Sequence, residues 1–283
     1  CNPIINEYVP IPQPNRDNYW VLDFGLGFSP VTGQYKIIRY LSASKFYLSS
    51  QVLVEIHELS SDMEEEEEAS DSWRSLGFAP PSFCNSTCKE KGPFLNGALH
   101  CLLGIGGFFE SICCFDFVDE SFRFLPSPSQ FDDHKEPIRH MNFALLRNCL
   151  CITHFSNSND QLLGPSFDLW MMTDYGVKDS WIKVVSIPDR YKDSMLIGSV
   201  TLWSNGETFM WLLSSGLLSF DPTTGRFKLI ETYKWKTQIF GEIIPFVPSL
   251  VSLKNVVGEH YFKNLERGRR VRINQKCFEK RSS

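Results

Sequence analysis

No stretch of this chain stays apolar for long enough to span a bilayer as a helix. The best candidate, residues 94–115, is interrupted by Asn96, His100 and Glu110, and Gly104, Gly106 and Gly107 break it further. Two strands joined by a turn account for it better than a spanning helix of about 20 residues. A strong charge imbalance is also missing: Lys+Arg 28 against Asp+Glu 33 gives −5 at pH 7. That is too mild for a general nucleic-acid or acidic-substrate binder. The 9 cysteines are odd in number and irregularly spaced, which argues against a disulfide framework. A thiol-tolerant compartment, cytoplasm or nucleus, is expected instead. The front carries neither Met nor a basic stretch followed by an apolar core. The opening Cys1-Asn2-Pro3 is expected to mark a fragment or a processed product, soluble and without a membrane partner.

What the chain does have is aromatic rings. Phe, Trp and Tyr make up 14% of its 283 residues, and hydrophobic residues reach 42%. Rings on that scale favour half-buried strands over solvent-facing helices. A short unit recurs: Phe220-Asp221-Pro222-Thr223-Thr224-Gly225-Arg226-Phe227-Lys228-Leu229 is its clearest copy. Phe28-Ser29-Pro30-Val31-Thr32-Gly33-Gln34-Tyr35-Lys36-Ile37 repeats the plan, Phe115-Asp116 leading to Phe122 is a degenerate third, and Asn2-Pro3 leading to Tyr8 a fourth. Each reads as strand, polar turn, then a strand opening on an aromatic, because Pro presets φ and Gly supplies φ > 0. A second version uses Trp: Val54 to Leu59 is answered by Ser72-Trp73-Arg74, and Leu169-Trp170 by Ser180-Trp181. Hinge aromatics Tyr8, Tyr35, Trp73, Phe122, Trp181 and Phe227 lie tens of residues apart. Strands at such intervals, with no convincing helix, predict an all-β propeller ring of four-stranded sheets. A β-sandwich pair is the rival architecture.

Between the hairpins, residues 97–102, 143–146 with 149–152, and 209–213 are apolar runs expected to be strands covered on both faces. Asn96-Gly97 and Asn205-Gly206 are strong turn dipeptides. The polar insertions 60–70, 130–139 and 156–165 read as connectors, the first carrying an acidic run at 64–68 that reads as a solvated loop. The composition then shifts, so a propeller domain over residues 1–254 and a basic C-terminal tail over 255–283 are expected.

Chemistry-bearing patterns are weak. Gly104-Ile105-Gly106-Gly107 opens like a dinucleotide fingerprint, but a strand follows where a helix N-terminus is needed for phosphate, so it reads as a turn. Cys84 and Cys88 have a spacing zinc could use, with His100, Cys101, Cys113 and Cys114 to complete a site. Neighbours on a strand point to opposite faces, so core packing is the stronger reading. Asn85-Ser86-Thr87 matches a glycosylation acceptor, which without a leader reads as chance. The six histidines accompany no Gly-x-Ser-x-Gly elbow, and His57 and His100 read as satisfied sheet residues. No catalytic, cofactor or metal residue is assigned, and no enzyme is expected.

In order along the chain, these units resemble the plant F-box-associated domain, the C-terminal half of F-box proteins, and the resemblance implies a kelch-like β-propeller. Cys1-Asn2-Pro3, Phe24-Gly25-Leu26-Gly27-Phe28-Ser29-Pro30 with Tyr35-Lys36-Ile37-Ile38, Asn96-Gly97-Ala98-Leu99-His100, Leu169-Trp170-Met171-Met172, Tyr175-Gly176-Val177, Ser180-Trp181 and Leu250-Val251-Ser252-Leu253 carry the resemblance. It implies a target-recognition module of an SCF-type (cullin) E3 ubiquitin-protein ligase, whose Skp-type adaptor and cullin are reached only through an F-box that these residues lack. The missing front is expected to leave the N-terminal blade incomplete. Contact loops for an unknown target protein are expected at residues 41–50, 61–70, 130–139 and 157–165. The rival readings are a truncated copy that binds targets without ligase docking, and a propeller carbohydrate-active hydrolase with convergent acids.

Overall fold

A computed structural model describes residues 7, 11, 18–43, 51–59, 73–81, 92–133, 136–156, 166–188, 201–202, 208–212, 216–221, 224, 226–230 and 252–253. Its strands form four antiparallel sheets of four, each built from strands consecutive in sequence. The first sheet holds β1 (Trp20–Ser29), β2 (Gln34–Ser42), β3 (Val52–Leu59) and β4 (Trp73–Phe78). The second holds β5 (Phe94–Leu95), β6 (Ala98–Ile105), β7 (Phe108–Asp116) and β8 (Ser121–Leu125). The third holds β9 (Met141–Leu146), β10 (Cys149–Ser156), β11 (Ser166–Met172) and β12 (Trp181–Pro188). The fourth holds β13 (Thr201–Leu202), β14 (Thr208–Leu212), β15 (Gly216–Asp221) and β16 (Arg226–Ile230). These are the blades the repeats predict, and the all-β propeller reading stands.

Local turn chemistry sets the hairpins. Asn96 and Gly97 both have positive φ, as a two-residue primed turn requires between β5 and β6. Arg147 and Asn148 do the same between β9 and β10, a turn with no glycine to announce it. Gly106 and Gly107, both at positive φ, turn β6 into β7, so residues 94–115 are indeed two strands. Burial on both faces is seen in β10, where Leu150 to His154 are all buried, whereas β9 buries only Met141 and Ala144. In β2 every residue from Lys36 to Ser42 is buried, so even its cations need internal partners.

The blades pack face to face. One core gathers Ile38, Tyr40, Val54 and Ile56 of the first blade with Leu103, Cys113, Phe115 and Phe117 of the second. β1 contributes little bulk there: a Cβ on Gly25 would collide with Leu99, and one on Gly27 with Phe117. Both glycines therefore admit the neighbouring blade's side chains against the backbone. A second core joins Leu102, Phe109 and Ile112 to Leu150, Ile152, Met172 and Trp181 of the third blade. Trp181, one of the predicted hinge rings, is buried and donates its indole N–H to the Pro126 carbonyl at 2.9 Å. Trp73 is buried likewise, with the Arg39 guanidinium 4.2 Å above its ring and His57 stacked on it. Tyr35 stays partly exposed against Phe28, and Tyr8 lies outside the described residues, as does most of the expected N-terminal hairpin. No helix among the described residues is long and apolar enough to cross a membrane.

Candidate protein-interaction surface

The connector between β8 and β9 is the one expected contact loop that the structure describes almost throughout. Residues 61–70 and 157–165 lie outside the described residues, and of 41–50 only 41–43 are described. The connector is not a simple polar loop. Two 3-10 turns, Ser129–Phe131 and Ile138–His140, bury Phe131 and Ile138, and Phe131 sits against Phe109, His154 and Trp170. Next to it, the backbone docks on the β6–β7 hairpin: Phe109 N–H donates to the Glu136 carbonyl at 2.8 Å and Ile138 N–H to the Gly107 carbonyl at 3.0 Å. Pro137 bridges to Phe108 between these bonds.

That docking leaves an apolar tip in solvent. Ile105 and Phe108 are directly opposed across the Gly106-Gly107 turn and are 47% and 48% exposed. Residues opposed in this way share a face. Gln130, Asp132 and Arg139 of the docked connector are exposed as well. An exposed apolar pair on a rigid hairpin is a candidate protein-contact patch. The sequence reading found this turn but not its surface. The signal lay in the two large apolar residues flanking Gly106-Gly107, which no single strand pattern accounts for.

Charged groups elsewhere pair either between blades or within one. Glu120, at the β7–β8 turn, accepts from Lys36 Nζ at 2.6 Å and from Arg74 Nη2 at 2.7 Å. Burial works against its charge, but the hydrogen bonds from Lys36 and Arg74 prevail and hold the carboxyl below its ordinary range. The Glu120 hydrogen bond likewise raises Arg74. Glu55 accepts from Arg39 Nε at 2.8 Å in the buried first blade. Asp116 pairs with Arg123, and Asp168 accepts from Lys183 at 2.8 Å and Ser186 at 2.6 Å. The buried acids among the described residues are thus each matched to a cation within their own sheet, an arrangement that stabilises charge rather than activating it.

His100, Tyr175 and Cys114 form the closest approach to a reactive constellation. His100 Nδ1 lies 2.9 Å from the Pro93 carbonyl, which can only accept, so that nitrogen carries the proton. Nε2 then accepts from the Tyr175 hydroxyl at 2.7 Å, across from the third blade. Burial lowers His100 and raises Cys114 and Tyr175. All three stay neutral near pH 7, so the group ties two blades and offers no thiolate or imidazolium. His100 and Cys101 are adjacent on β6 and point to opposite faces, while Cys84 and Cys88 lie outside the described residues. Among the described residues no three His, Cys, Asp or Glu side chains are grouped to hold a metal.

With blades, interfaces and patch in place, comparison with known proteins fixes the family. A model described as the F-box associated beta propeller domain matches residues 1–253. The chain belongs to this family. Relatives of the F-box associated domain include F-box protein At3g07870 of Arabidopsis thaliana, 28% identical over 263 residues, which covers 80% of this chain and 59% of that protein. F-box/kelch-repeat protein At3g23880 of Arabidopsis thaliana is 24% identical over 220 residues, covering 75% of this chain and 51% of that protein. The F-box associated domain here therefore spans somewhat more than half the length of these curated relatives. Among solved structures, the exo-beta-1,3-galactanase of Phanerochaete chrysosporium aligns at a TM-score of 0.38 and 9% identity, over 76% of this chain and 53% of that one. At that score the likeness carries no argument about activity.

Proposed function

We propose that this domain is the target-recognition part of an F-box subunit of a cullin-type E3 ubiquitin ligase. The observation that carries the reading is the family match over residues 1–253, with relatives that are F-box proteins. The exposed Ile105–Phe108 tip supports it by supplying a contact patch on a rigid blade, as loops on a stable scaffold do for recognition. In this reading the propeller domain occupies residues 1–254 and a basic tail follows over 255–283. The domain performs no chemical step itself. It holds a target protein while a Skp-type adaptor and cullin, reached through an F-box, deliver the ubiquitin machinery in the cytoplasm or nucleus.

The test joins the full chain behind an F-box and captures it from plant cells with the proteasome inhibited. Adaptor, cullin and at least one ubiquitinated target should be recovered together. Replacing Ile105 and Phe108 by Ser should retain adaptor and cullin and lose the target. Capture of adaptor and cullin with no target at all would sink the reading.

A further inference from the structure

Cys101 and Cys113 stand directly opposite one another on β6 and β7. Opposed residues of an antiparallel pair share a face, with Cα atoms about 4.5–5.5 Å apart, inside the range a disulfide bridges. Their Cβ atoms are about 4.5–5.5 Å apart, so a slight closing motion brings the sulfurs to bonding distance. Both cysteines are reduced here, and both face the first blade: Cys113 lies in the core with Ile38, Tyr40 and Phe115, and Cys101 packs against that core. Their burial differs in a useful way. Cys113 is wholly buried, whereas Cys101 is only half-buried. A small reagent from solvent therefore meets Cys101 first.

We propose that Cys101 and Cys113 are a reversible disulfide-forming pair, a modification site whose oxidant is a small-molecule disulfide. The Cys101 thiol loses its proton to solvent, and its sulfur attacks one sulfur of the reagent. The reagent's S–S bond breaks and its first thiolate leaves and takes a proton. The Cys113 thiol loses its proton and attacks Cys101 Sγ, the mixed disulfide breaks, and the second thiolate leaves and is protonated. Two protein thiols have then given up two electrons, and the reagent has become two thiols. The enclosed loop, residues 102–112, carries the Ile105–Phe108 tip, but the inference rests on register and burial and not on what that tip binds.

The other described cysteines are poorer candidates. Cys114 points to the opposite face of β7 toward Tyr175, and burial pushes its thiol up. Cys149 and Cys151 are two apart on one strand, about 6.6 Å along it, at the far limit for a bridge. Burial pushes the Cys151 thiol up to about 12.

The test treats the full native chain with oxidised glutathione at neutral pH, blocks remaining thiols, and cleaves after glutamate. Cleavage at Glu110 separates Cys101 from Cys113 and Cys114. A linked pair of peptides, about 2 Da lighter than their sum and parted by reductant, is the expected product. Cys114→Ser should keep the link, and Cys101→Ser should abolish it. Cys101 carrying only glutathione, a link through Cys114, or unmodified Cys101 would each overturn the proposal.

Discussion

Glu7 and Leu253, 246 residues apart, are hydrogen-bonded: the Leu253 N–H donates to Glu7 Oε2 at 2.6 Å. Ser252 Oγ donates to the same carboxylate at 2.9 Å. A propeller is a ring, and this contact ties an early segment of the domain to a late one. Glu7→Ala leaves the Leu253 N–H without its acceptor and should cost about 1–3 kcal/mol, read as a lower urea midpoint. Ser252→Ala removes only the weaker of the two bonds and should cost about 1 kcal/mol or less. An unchanged Glu7→Ala midpoint would show that the two segments do not secure one another.

Arg39 and Glu55 are nearly solvent-free, with side chains 2% and 0% exposed. Arg39→Met strands a buried carboxylate and should cost about 3–5 kcal/mol. Adding Glu55→Met should restore much of that loss, because the uncompensated charge disappears. Urea denaturation of the two variants checks the order; a double variant weaker than the single one would refute the account.

Gly27→Ala places a methyl group against Phe117 and should cost about 1–3 kcal/mol through overpacking between blades. Phe117→Leu in that background should recover part of the loss. If Gly27→Ala is neutral by thermal unfolding, the close approach of β1 to the second blade is not required.

Two histidines give the fold a pH dependence of definite sign. Burial lowers both His100 and His154 from the ordinary 6.5, although Glu136, bonded to His154 Nε2 at 2.9 Å, and Asp168 oppose the effect on His154 while Lys183 adds to it. Between the lowered values and 6.5 the unfolded chain binds more protons than the folded one, so stability rises with pH there. Their contribution is present above about 6.5 and is lost as pH falls through the folded values. The urea midpoint should therefore drop on going from pH 7 to pH 5. His100→Asn should flatten that slope, and a slope unaffected by it would place the titration elsewhere.

Arg147 holds a left-handed conformation with φ 50° that glycine adopts without strain. Arg147→Gly should stabilise the β9–β10 hairpin, by up to about 1 kcal/mol, and raise the melting temperature. Glu120 has a similar φ of 51° but should behave oppositely, since Glu120→Gly also removes the acceptor for Lys36 and Arg74.

Hairpins were legible in the sequence because their causes are local. Pro30, Gly33, Asn96 and Gly97 each act on the turn in which they sit, and strand alternation needs only near neighbours. What joins the blades was not legible. Tyr175 meets His100 across 75 positions and Lys36 meets Glu120 across 84, distances at which no spacing rule operates. The connector at 130–139 looked polar because its two anchoring residues, Phe131 and Ile138, are outnumbered by exposed ones. The patch at Ile105 and Phe108 depends on how that connector docks, which only tertiary packing decides.

The docked connector also constrains how this blade pair can diversify. Phe131 is fixed in the interior and Ile138 is tied to the Gly107 carbonyl, so both ends of the intervening span are pinned. Insertions placed before Phe131 or after Ile138 would pull a buried ring or a ladder bond out of place. Glu136 and Pro137 are tied to the β6–β7 hairpin as well, so length changes are compatible with the docking only between Asp132 and Glu136. New specificities can therefore arise between those two residues at little expense to folding, while the docked segments on either side are held to a fixed length.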